Sequence, residues 1–232
     1  MDTGQPDPQS RLRSYTKLWQ DGYVSTPQEE ASQRLAQACF LKSQGPRPVD
    51  AFLDLGCGYL RGTIELVDYL EDGHFYGIDI SRKNIEKARE RALRVCRHRP
   101  HLAVADSFEI GQIWPNARFD YILAASLFTH LYPADLQECL RQVSIVLSGR
   151  FFATIFKDNT VDVCDGWCGT CIDHQDHHTV SLTARRDNYA NLNFCYNTTW
   201  IAKTGKDYSL RVREIGSTEI GQFMLEISRI SE

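Results

Sequence analysis

The chain has 232 residues, of which 42% are hydrophobic and 11% aromatic, so it is large enough for one domain with a buried core and additional segments. Its formal net charge of −4 provides no general attraction to nucleic acid, whose binding proteins carry basic surfaces. No apolar run reaches the roughly 18 residues of a membrane-spanning helix, and the N-terminus lacks a secretory signal. We therefore expect a cytoplasmic protein without membrane association, whose cysteines are reduced thiols.

Residues 1–48 are predicted to form a helical N-terminal segment. Helical spacing of apolar residues continues up to Gln44, with a break before Pro27. Thr26 followed by proline at the first helical position is typical of a helix start. The main domain is then expected to comprise residues 49–232.

The stretch Ala51–Thr63 combines a strand, a glycine turn and the start of a helix. Its first part, A-F-L-D-L up to Leu55, is typical of a strand buried on both faces. Gly56 and Gly58 follow, and glycine adopts backbone angles that side chains forbid and leaves no Cβ in the way. This geometry brings backbone N–H groups close to a ligand, although G-x-G alone is a weak motif.

A second strand is predicted at His74–Asp79, and it ends in an acid. An acid at this position, about 20 residues after Gly58, is where a fold of this type binds ribose hydroxyls. The alternative is that Asp79 caps the helix that begins near Arg82. Because Ser81 is available as the cap, the ribose role is favoured.

The rest of the chain alternates between helical and strand patterns. After the second strand we predict, in order, a basic amphipathic helix Ser81–Arg97, strands His101–Ala105 and Phe119–Ala125, a helix Pro133–Leu147, a fifth strand Phe151–Phe156, a short helix Thr198–Lys203 and two final strands, Tyr208–Ile215 and Gly221–Ile230.

Four sequence pieces carry a resemblance to a known family: D-L-G-C-G, Y-G-I-D-I-S, A-D-S-F and F-D-Y-I-L-A-A-S-L-F-T-H-L. In order and spacing, from about Val49 to Phe156, the chain resembles the class I S-adenosylmethionine-dependent methyltransferases. The resemblance implies an α/β fold with a doubly wound, mostly parallel seven-stranded sheet, an antiparallel C-terminal strand pair, and S-adenosylmethionine as cofactor. A nicotinamide-binding Rossmann domain is disfavoured because the turn lacks the third glycine of G-x-G-x-x-G.

The resemblance also implies which residues hold the cofactor. In the family, the acid at the tip of the third strand binds the adenine amino group and an apolar neighbour covers the ring; the alternative for this acid is an ordinary loop residue. The predicted cofactor-binding residues are Asp54, Gly56, Cys57, Gly58, Arg61, Asp79, Ile80, Asp106, Ser107, Phe108 and Ala124.

The acceptor side is predicted from the N-terminal segment and the end of the fourth strand. In the family an N-terminal segment covers the cleft, and Tyr15, Trp19 and Tyr23 share one helical face. Alternatively, these aromatic residues only pack the segment onto the domain. Phe128 and His130 complete the predicted substrate-binding set, and His130 is the candidate catalytic base, with backbone bonding or helix capping as the alternative.

Residues 158–204 are predicted to form a substrate-shaping insertion. Zinc binding is chemically possible there, but a second C-x2-C pair is missing and the large core needs no metal to fold, so we expect no metal. The spacing C-x3-C-x2-C also occurs in radical S-adenosylmethionine enzymes, but their motif lies early in a different fold. The potential ligands are Cys164, Cys168, Cys171, His174, His177 and His178.

These observations predict methyl transfer from S-adenosylmethionine to a small organic acceptor by in-line displacement. The Asn/Asp-Pro-Pro-Tyr/Phe sequence that adenine- and amide-nitrogen methylating members of the family carry at the end of the fourth strand is absent, which argues against a base-flipping nucleic-acid enzyme of that type. One alternative is methylation of a peptide or protein side chain. Another is a module that binds the cofactor without transferring its methyl group. The sequence does not predict an oligomeric state.

Overall fold

The computed structural model describes residues 6–19, 27–157, 163–164, 194–218 and 221–230. Within these ranges no helix is long and apolar enough to cross a membrane. The strands are β1 Phe52–Leu55, β2 Phe75–Asp79, β3 His101–Val104, β4 Phe119–Ala124, β5 Leu147–Lys157, β6 Val163–Cys164, β7 Cys195–Tyr196, β8 Leu210–Ser217 and β9 Phe223–Arg229. The helices are α1 Pro8–Trp19, α2 Pro27–Ser43, α3 Ile64–Tyr69, α4 Arg82–Val95, α5 Ile110–Ile113, α6 Pro133–Val146 and α7 Thr198–Lys206, with a 3₁₀ turn at Phe128–His130.

The sheet has the predicted doubly wound arrangement. Strands β3, β2, β1, β4 and β5 lie side by side in that order and are all parallel. Strand β9 runs antiparallel beside β5, and β8 pairs antiparallel with β9. The prediction of a mostly parallel sheet that closes with an antiparallel C-terminal pair is therefore confirmed.

Both faces of the sheet are covered by helices, which explains why β1 is buried along its whole length. One apolar cluster lies beneath α6 and includes Leu136 and Leu140, while the other lies beneath α3 and α4 and includes Leu66 and Ile85. Each such fully buried aliphatic side chain contributes about 1.5–3 kcal/mol to folding. Because the two clusters fix the strands from both sides, the carboxyl ends of the parallel strands meet at one rigid edge.

Strands β6 and β7 form a short addition at the far end of β5. Phe156 and Lys157 of β5 pair with Cys195 and Tyr196 of β7, and Cys164 of β6 lies opposite Cys195. Cys195 is disulfide-bonded, so the prediction that all cysteines are reduced thiols is wrong for this residue.

Candidate cofactor and acceptor site

A cavity of about 500 Å³ opens at the carboxyl edge of the parallel strands. This is the edge at which open α/β sheets bind ligands, because the loops after each strand converge there. One part is formed by the strand ends and the glycine turn, and the other by α1, the 3₁₀ turn and α6. The sequence-predicted residues that line the cavity are Tyr15, Trp19, Asp54, Gly56, Cys57, Gly58, Arg61, Asp79, Ile80, Asp106, Ser107, Phe108 and His130.

The glycine turn has the conformation that its composition predicts. Gly56 and Gly58 have φ values of +71° and +53°, in the left-handed region that glycine adopts without a steric penalty. The N–H groups of Gly56 and Cys57 both donate to the carbonyl of Ile78, at 2.8 and 2.9 Å. No atom lies within 4 Å of the position a Cβ would take on Gly58, so the turn is open on that side.

Asp79 links the glycine turn to the start of α4. One carboxylate oxygen accepts the N–H of Gly58 at 2.9 Å, and the other accepts the N–H of Ser81 at 2.8 Å and the side-chain amide of Asn84 at 3.2 Å. Burial raises the pKa of the Asp79 carboxyl, and these hydrogen bonds act in the opposite direction. A carboxylate offers about four acceptor positions, so one position remains for a ligand.

Asp54 is the buried acid beneath the turn. Its carboxylate accepts the hydroxyl hydrogen of Thr63 at 2.7 Å, and only 5% of the residue is exposed. Burial raises the pKa of the Asp54 carboxyl to about 7, and the nearby charge of Asp79 acts in the same direction. Asp54 is therefore an acid that changes its charge near neutral pH beside the cavity.

The loop after β3 forms the wall opposite the glycine turn, in the part of the cavity that the strand ends form. Asp106 and Ser107 are exposed at its rim, whereas Phe108 is half-buried and packs against the apolar cluster under α6. A carboxylate beside an apolar ring provides a hydrogen-bond acceptor and a stacking surface, which suits a purine base. The geometry is consistent with the predicted adenine site, whose assignment stays a prediction.

The end of β4 differs from the prediction at two positions. Ala124 and Phe128 are both 0% exposed, and neither lines the cavity, so the predictions that they contact cofactor and substrate are wrong. Alternation along β4 directs Ala124 into the core, while its neighbours Leu123 and Ala125 face the cavity. The ring of Phe128 folds under the 3₁₀ turn and packs edge-on against Phe151, with ring centroids 5.8 Å apart.

Ser126 was not predicted, yet it lines the cavity two residues after the end of β4. Its φ of +56° is unusual for a residue other than glycine. The conformation is held by two hydrogen bonds, from its N–H to the hydroxyl of Thr154 at 2.7 Å and from its own hydroxyl to the amide oxygen of Gln222 at 3.1 Å. Such a restrained backbone at a strand end is a feature of ligand sites.

Helix α1 is attached to the acceptor side by one carboxylate. Asp135 at the start of α6 accepts two hydrogen bonds from the guanidinium of Arg11, both at 2.9 Å, and one from the hydroxyl of Tyr15 at 2.6 Å. The Tyr15 oxygen in turn accepts the N–H of Tyr132 at 2.8 Å. Burial and the Asp135 charge raise the pKa of Tyr15, which therefore remains a neutral hydrogen-bond donor.

Trp19 and His130 form the inner end of the acceptor side. Their rings meet edge to face with centroids 5.2 Å apart. The backbone N–H of His130 donates to the carbonyl of Leu127 at 2.9 Å, which places the imidazole at the end of the 3₁₀ turn. The neighbouring Thr129 carbonyl accepts the N–H of Phe194 at 2.7 Å, so Phe194 lies directly beside this turn.

Several predicted residues lie outside the described part of the chain. They are Tyr23, Cys168, Cys171, His174, His177 and His178, while Cys164 is described only through its backbone pairing. Among the described residues, no group of three or more potential ligands is arranged to hold a metal.

The sequence did not predict the cavity residues that contacts between distant parts of the chain bring to the site. Asp135 and Tyr15 are 120 positions apart in the chain, and no local pattern predicts their contact. A weak signal existed for Asp135, because an acid in the first turn of a helix that begins with proline is a common capping arrangement. The other missed lining residues with polar side chains are Gln9, Gln37, Tyr59, Asn84, Glu109, Ser126 and Glu138.

The fold is that of an α/β protein whose glycine turn lies at the ligand-binding edge of a doubly wound sheet. Residues 53–149 match a family described as a methyltransferase domain. Together with the strand order, this match makes the chain similar to the class I S-adenosylmethionine-dependent methyltransferases, whose cofactor is S-adenosylmethionine. The open face of the turn at Gly58 and the acid at the tip of β2 fit that cofactor.

Curated proteins of similar sequence include named methyltransferases. The chain is 33% identical over 131 residues to the 27-O-demethylrifamycin SV methyltransferase of Amycolatopsis mediterranei, covering 56% of this chain and 45% of the relative. The match covers 44%, 22% and 45% of the length of three curated relatives, which is less than half of each.

Solved structures agree on the fold. PH0226 from Pyrococcus horikoshii superposes with a TM-score of 0.65 at 19% identity, covering 93% of this chain and 98% of that one. Magnesium protoporphyrin IX methyltransferase from Synechocystis, solved with bound S-adenosylhomocysteine (SAH), gives a TM-score of 0.63 at 15% identity, covering 95% and 94%. At these identities the likeness concerns the fold alone.

Proposed function

We propose that this protein transfers a methyl group from S-adenosylmethionine to a small organic acceptor. The observation that carries the proposal is that one cavity of about 500 Å³ contains both the glycine turn and a separate wall formed by α1 and α6. A cavity of this size suits a small ligand. S-adenosylmethionine supplies a methyl group that is already activated by the positive charge on sulfur.

The residues of this chain then mainly position the two reactants. Gly58, Asp79 and Asp106 are proposed to hold the cofactor, and Tyr15 and Trp19 to enclose the acceptor. Placement in an aligned, water-excluding site supplies much of the acceleration of a displacement reaction. His130 is the proposed proton acceptor because it lies in the cavity wall beside Trp19.

The position of α1 favours a small acceptor over a protein side chain. The helix is fastened across the cavity by Arg11 and Tyr15, which both contact Asp135. We propose that the N-terminal segment, residues 1–48, acts as a lid over the domain 49–232, and that residues 158–204 shape the acceptor pocket.

The test is product analysis by mass spectrometry. Purified protein is incubated with S-adenosylmethionine and a metabolite panel, and in parallel with a peptide library. A mass gain of one methylene unit on a small compound supports the proposal, and a gain on peptides only would contradict it. Binding of the cofactor with no methylated product in either set would indicate a binding module.

A further inference from the structure

Ser126 lines the cavity, and each of its hydrogen-bonding groups is held by a buried side chain. Its N–H donates to the Thr154 hydroxyl at 2.7 Å, and its carbonyl accepts the Thr129 hydroxyl at 2.8 Å. Its own hydroxyl donates to the amide oxygen of Gln222 at 3.1 Å. We propose that the Ser126 hydroxyl oxygen accepts a hydrogen bond from the atom that is methylated, and that Gln222 positions this hydroxyl. The inference rests on the proposed function and adds the chemical class of the acceptor.

The contacts of the next residue, Leu127, place Ser126 between the cofactor part and the acceptor part of the cavity. The Leu127 side chain packs against the glycine turn, with Cδ1 3.2 Å from the position a Cβ would take on Gly56. The Leu127 carbonyl accepts the backbone N–H of His130 at 2.9 Å. The glycine turn is the proposed cofactor site, and His130 belongs to the acceptor side. Ser126 therefore lies where the two reactants are expected to meet.

The backbone of Ser126 is fixed by three separate elements. Thr154 belongs to β5, Thr129 to the 3₁₀ turn, and Gln222 directly precedes β9. These three partners are at most 5% exposed, and they hold Ser126 at φ of +56°, a conformation that a residue other than glycine rarely adopts. A sparsely populated conformation persists only where its surroundings determine it, and such positions cluster at ligand sites.

Gln222 is held by the connection between the last two strands. Its backbone N–H donates to the Thr218 hydroxyl at 3.2 Å, and its carbonyl accepts the Thr218 N–H at 2.7 Å. Gln222 is 5% exposed and is not among the described residues that line the cavity. Any effect of Gln222 on a ligand therefore passes through Ser126, which makes it a positioning residue.

The direction of the hydrogen bond to Gln222 determines which acceptors fit. Because the Ser126 hydroxyl gives its hydrogen to Gln222, its oxygen keeps lone pairs that accept hydrogen bonds. A hydroxyl or an amine N–H supplies the required donor, whereas a carboxylate offers only acceptors. We therefore expect the methylated atom to be a hydroxyl oxygen or an amine nitrogen that carries hydrogen.

A hydrogen bond to Ser126 orients the acceptor for displacement. With the N–H or O–H directed at Ser126, a lone pair of the same atom can point at the methyl carbon. That lone pair forms the new bond to carbon, and the C–S bond breaks with its electron pair moving to sulfur. The proton of the acceptor atom passes to His130 or to water. Orientation of this kind accelerates a displacement because the reacting atoms are held in line.

The first test needs no acceptor. Sinefungin is a cofactor analogue with an amino group in place of the transferred methyl group, and SAH lacks that group. Calorimetry measures the Kd of both ligands for wild type and for Ser126→Ala, which keeps the Cβ and the backbone hydrogen bonds and removes only the hydroxyl. We expect the Kd of sinefungin to rise about tenfold and that of SAH to stay unchanged.

Ser209→Ala is the matched control, because Ser209 has φ of +59° but is exposed and lies outside the cavity lining. An unchanged Kd of sinefungin in Ser126→Ala, or an equal rise for both ligands, would overturn the inference. If wild type binds neither ligand, the proposed function fails instead.

The second test is a double-mutant cycle on kcat, with the acceptor found by product analysis. We expect Gln222→Leu to lower kcat about tenfold in wild type and to have no further effect in Ser126→Ala, because both changes remove the same interaction. Gln222→Glu keeps an oxygen that accepts the Ser126 hydroxyl, so we expect it to retain kcat within about threefold of wild type. Independent losses in the double variant, or methylation of a carboxylate oxygen, would overturn the inference while leaving methyl transfer intact.

Discussion

The carboxylate of Asp79 and the backbone N–H of Gly58 form a hydrogen bond of 2.9 Å that joins the tip of β2 to the glycine turn. The same carboxylate accepts the N–H of Ser81, so it also fixes the start of α4. The two roles considered from the sequence, ribose binding and helix organisation, are therefore compatible. A carboxylate already oriented by the fold needs no rearrangement to accept a ligand hydroxyl.

Asp79→Ala is expected to weaken binding of S-adenosylmethionine and of SAH by about 2–3 kcal/mol. The change removes a charged acceptor for ribose hydroxyls, and hydrogen bonds to charged groups are the stronger kind. Isothermal calorimetry measures both affinities. Glu86→Ala, an exposed position on α4, serves as the control. Wild-type affinity in the Asp79 variant would remove this residue from the site.

Gly58→Ala is expected to abolish cofactor binding at a modest cost in stability. An added Cβ on Gly58 projects into the open side of the turn, and φ of +53° adds strain of roughly 1–2 kcal/mol. Gly45→Ala is a matched control, because Gly45 has φ of +77° and also no atom within 4 Å of a Cβ, but it does not line the cavity. Denaturant unfolding and calorimetry separate strain from lost binding. Comparable loss of affinity in both variants would contradict the assignment of the turn.

Deletion of residues 1–24 is expected to leave the sheet folded and to lower kcat. The deletion removes Tyr15 and Trp19 from the cavity wall and admits water to the site. Tyr15→Phe tests the attachment alone, because it removes the hydroxyl contacts with Asp135 and Tyr132, and we expect it to raise the KM of the acceptor. Arg13→Ala, exposed on the same helix, is the control. Steady-state kinetics at wild-type rates after the deletion would disprove the lid.

The contribution of Asp54 to the free energy of unfolding is expected to fall by about 1.4 kcal/mol per pH unit between pH 4 and pH 7. Burial raises the pKa of this carboxyl from 3.8 to about 7, so in this window the folded state holds a proton that the unfolded state has released. The contribution is constant above pH 7, where both states are ionised. Denaturant unfolding of wild type and Asp54→Asn across this range measures the difference, and parallel pH profiles would refute it.

Protein purified without a chelator or an affinity-tag metal is expected to contain less than one equivalent of zinc or iron per chain. The two apolar clusters that cover the sheet give the domain a large core, so we expect it to fold without a metal, unlike very small domains. Elemental analysis by mass spectrometry measures the content. Stoichiometric metal that is lost in Cys168→Ser and Cys171→Ser, together with a lower Tm, would show a structural site, because its binding energy is folding energy.

The glycine turn and the ends of β2 and β3 were predictable because their signals are local. Each consists of an apolar run, a glycine or an acid, and a helix start within a short stretch. The positions of Ala124 and Phe128 were predicted wrongly. Side chains alternate between the two faces of a strand only up to its end, and the sequence does not show where β4 ends and the 3₁₀ turn begins. The Asp135 contacts with Arg11 and Tyr15 join distant parts of the chain and have no local signal.

The pairing at the end of β5 bears on how such a protein acquires a new specificity. Strand β5 ends at Lys157 and strand β7 begins at Cys195, and the two ends lie side by side because Lys157 pairs with Tyr196. The segment between them therefore starts and finishes at one point of the scaffold, beside the turn that carries His130. A change in the length of this segment therefore does not require the glycine turn or the tips of β2 and β3 to move.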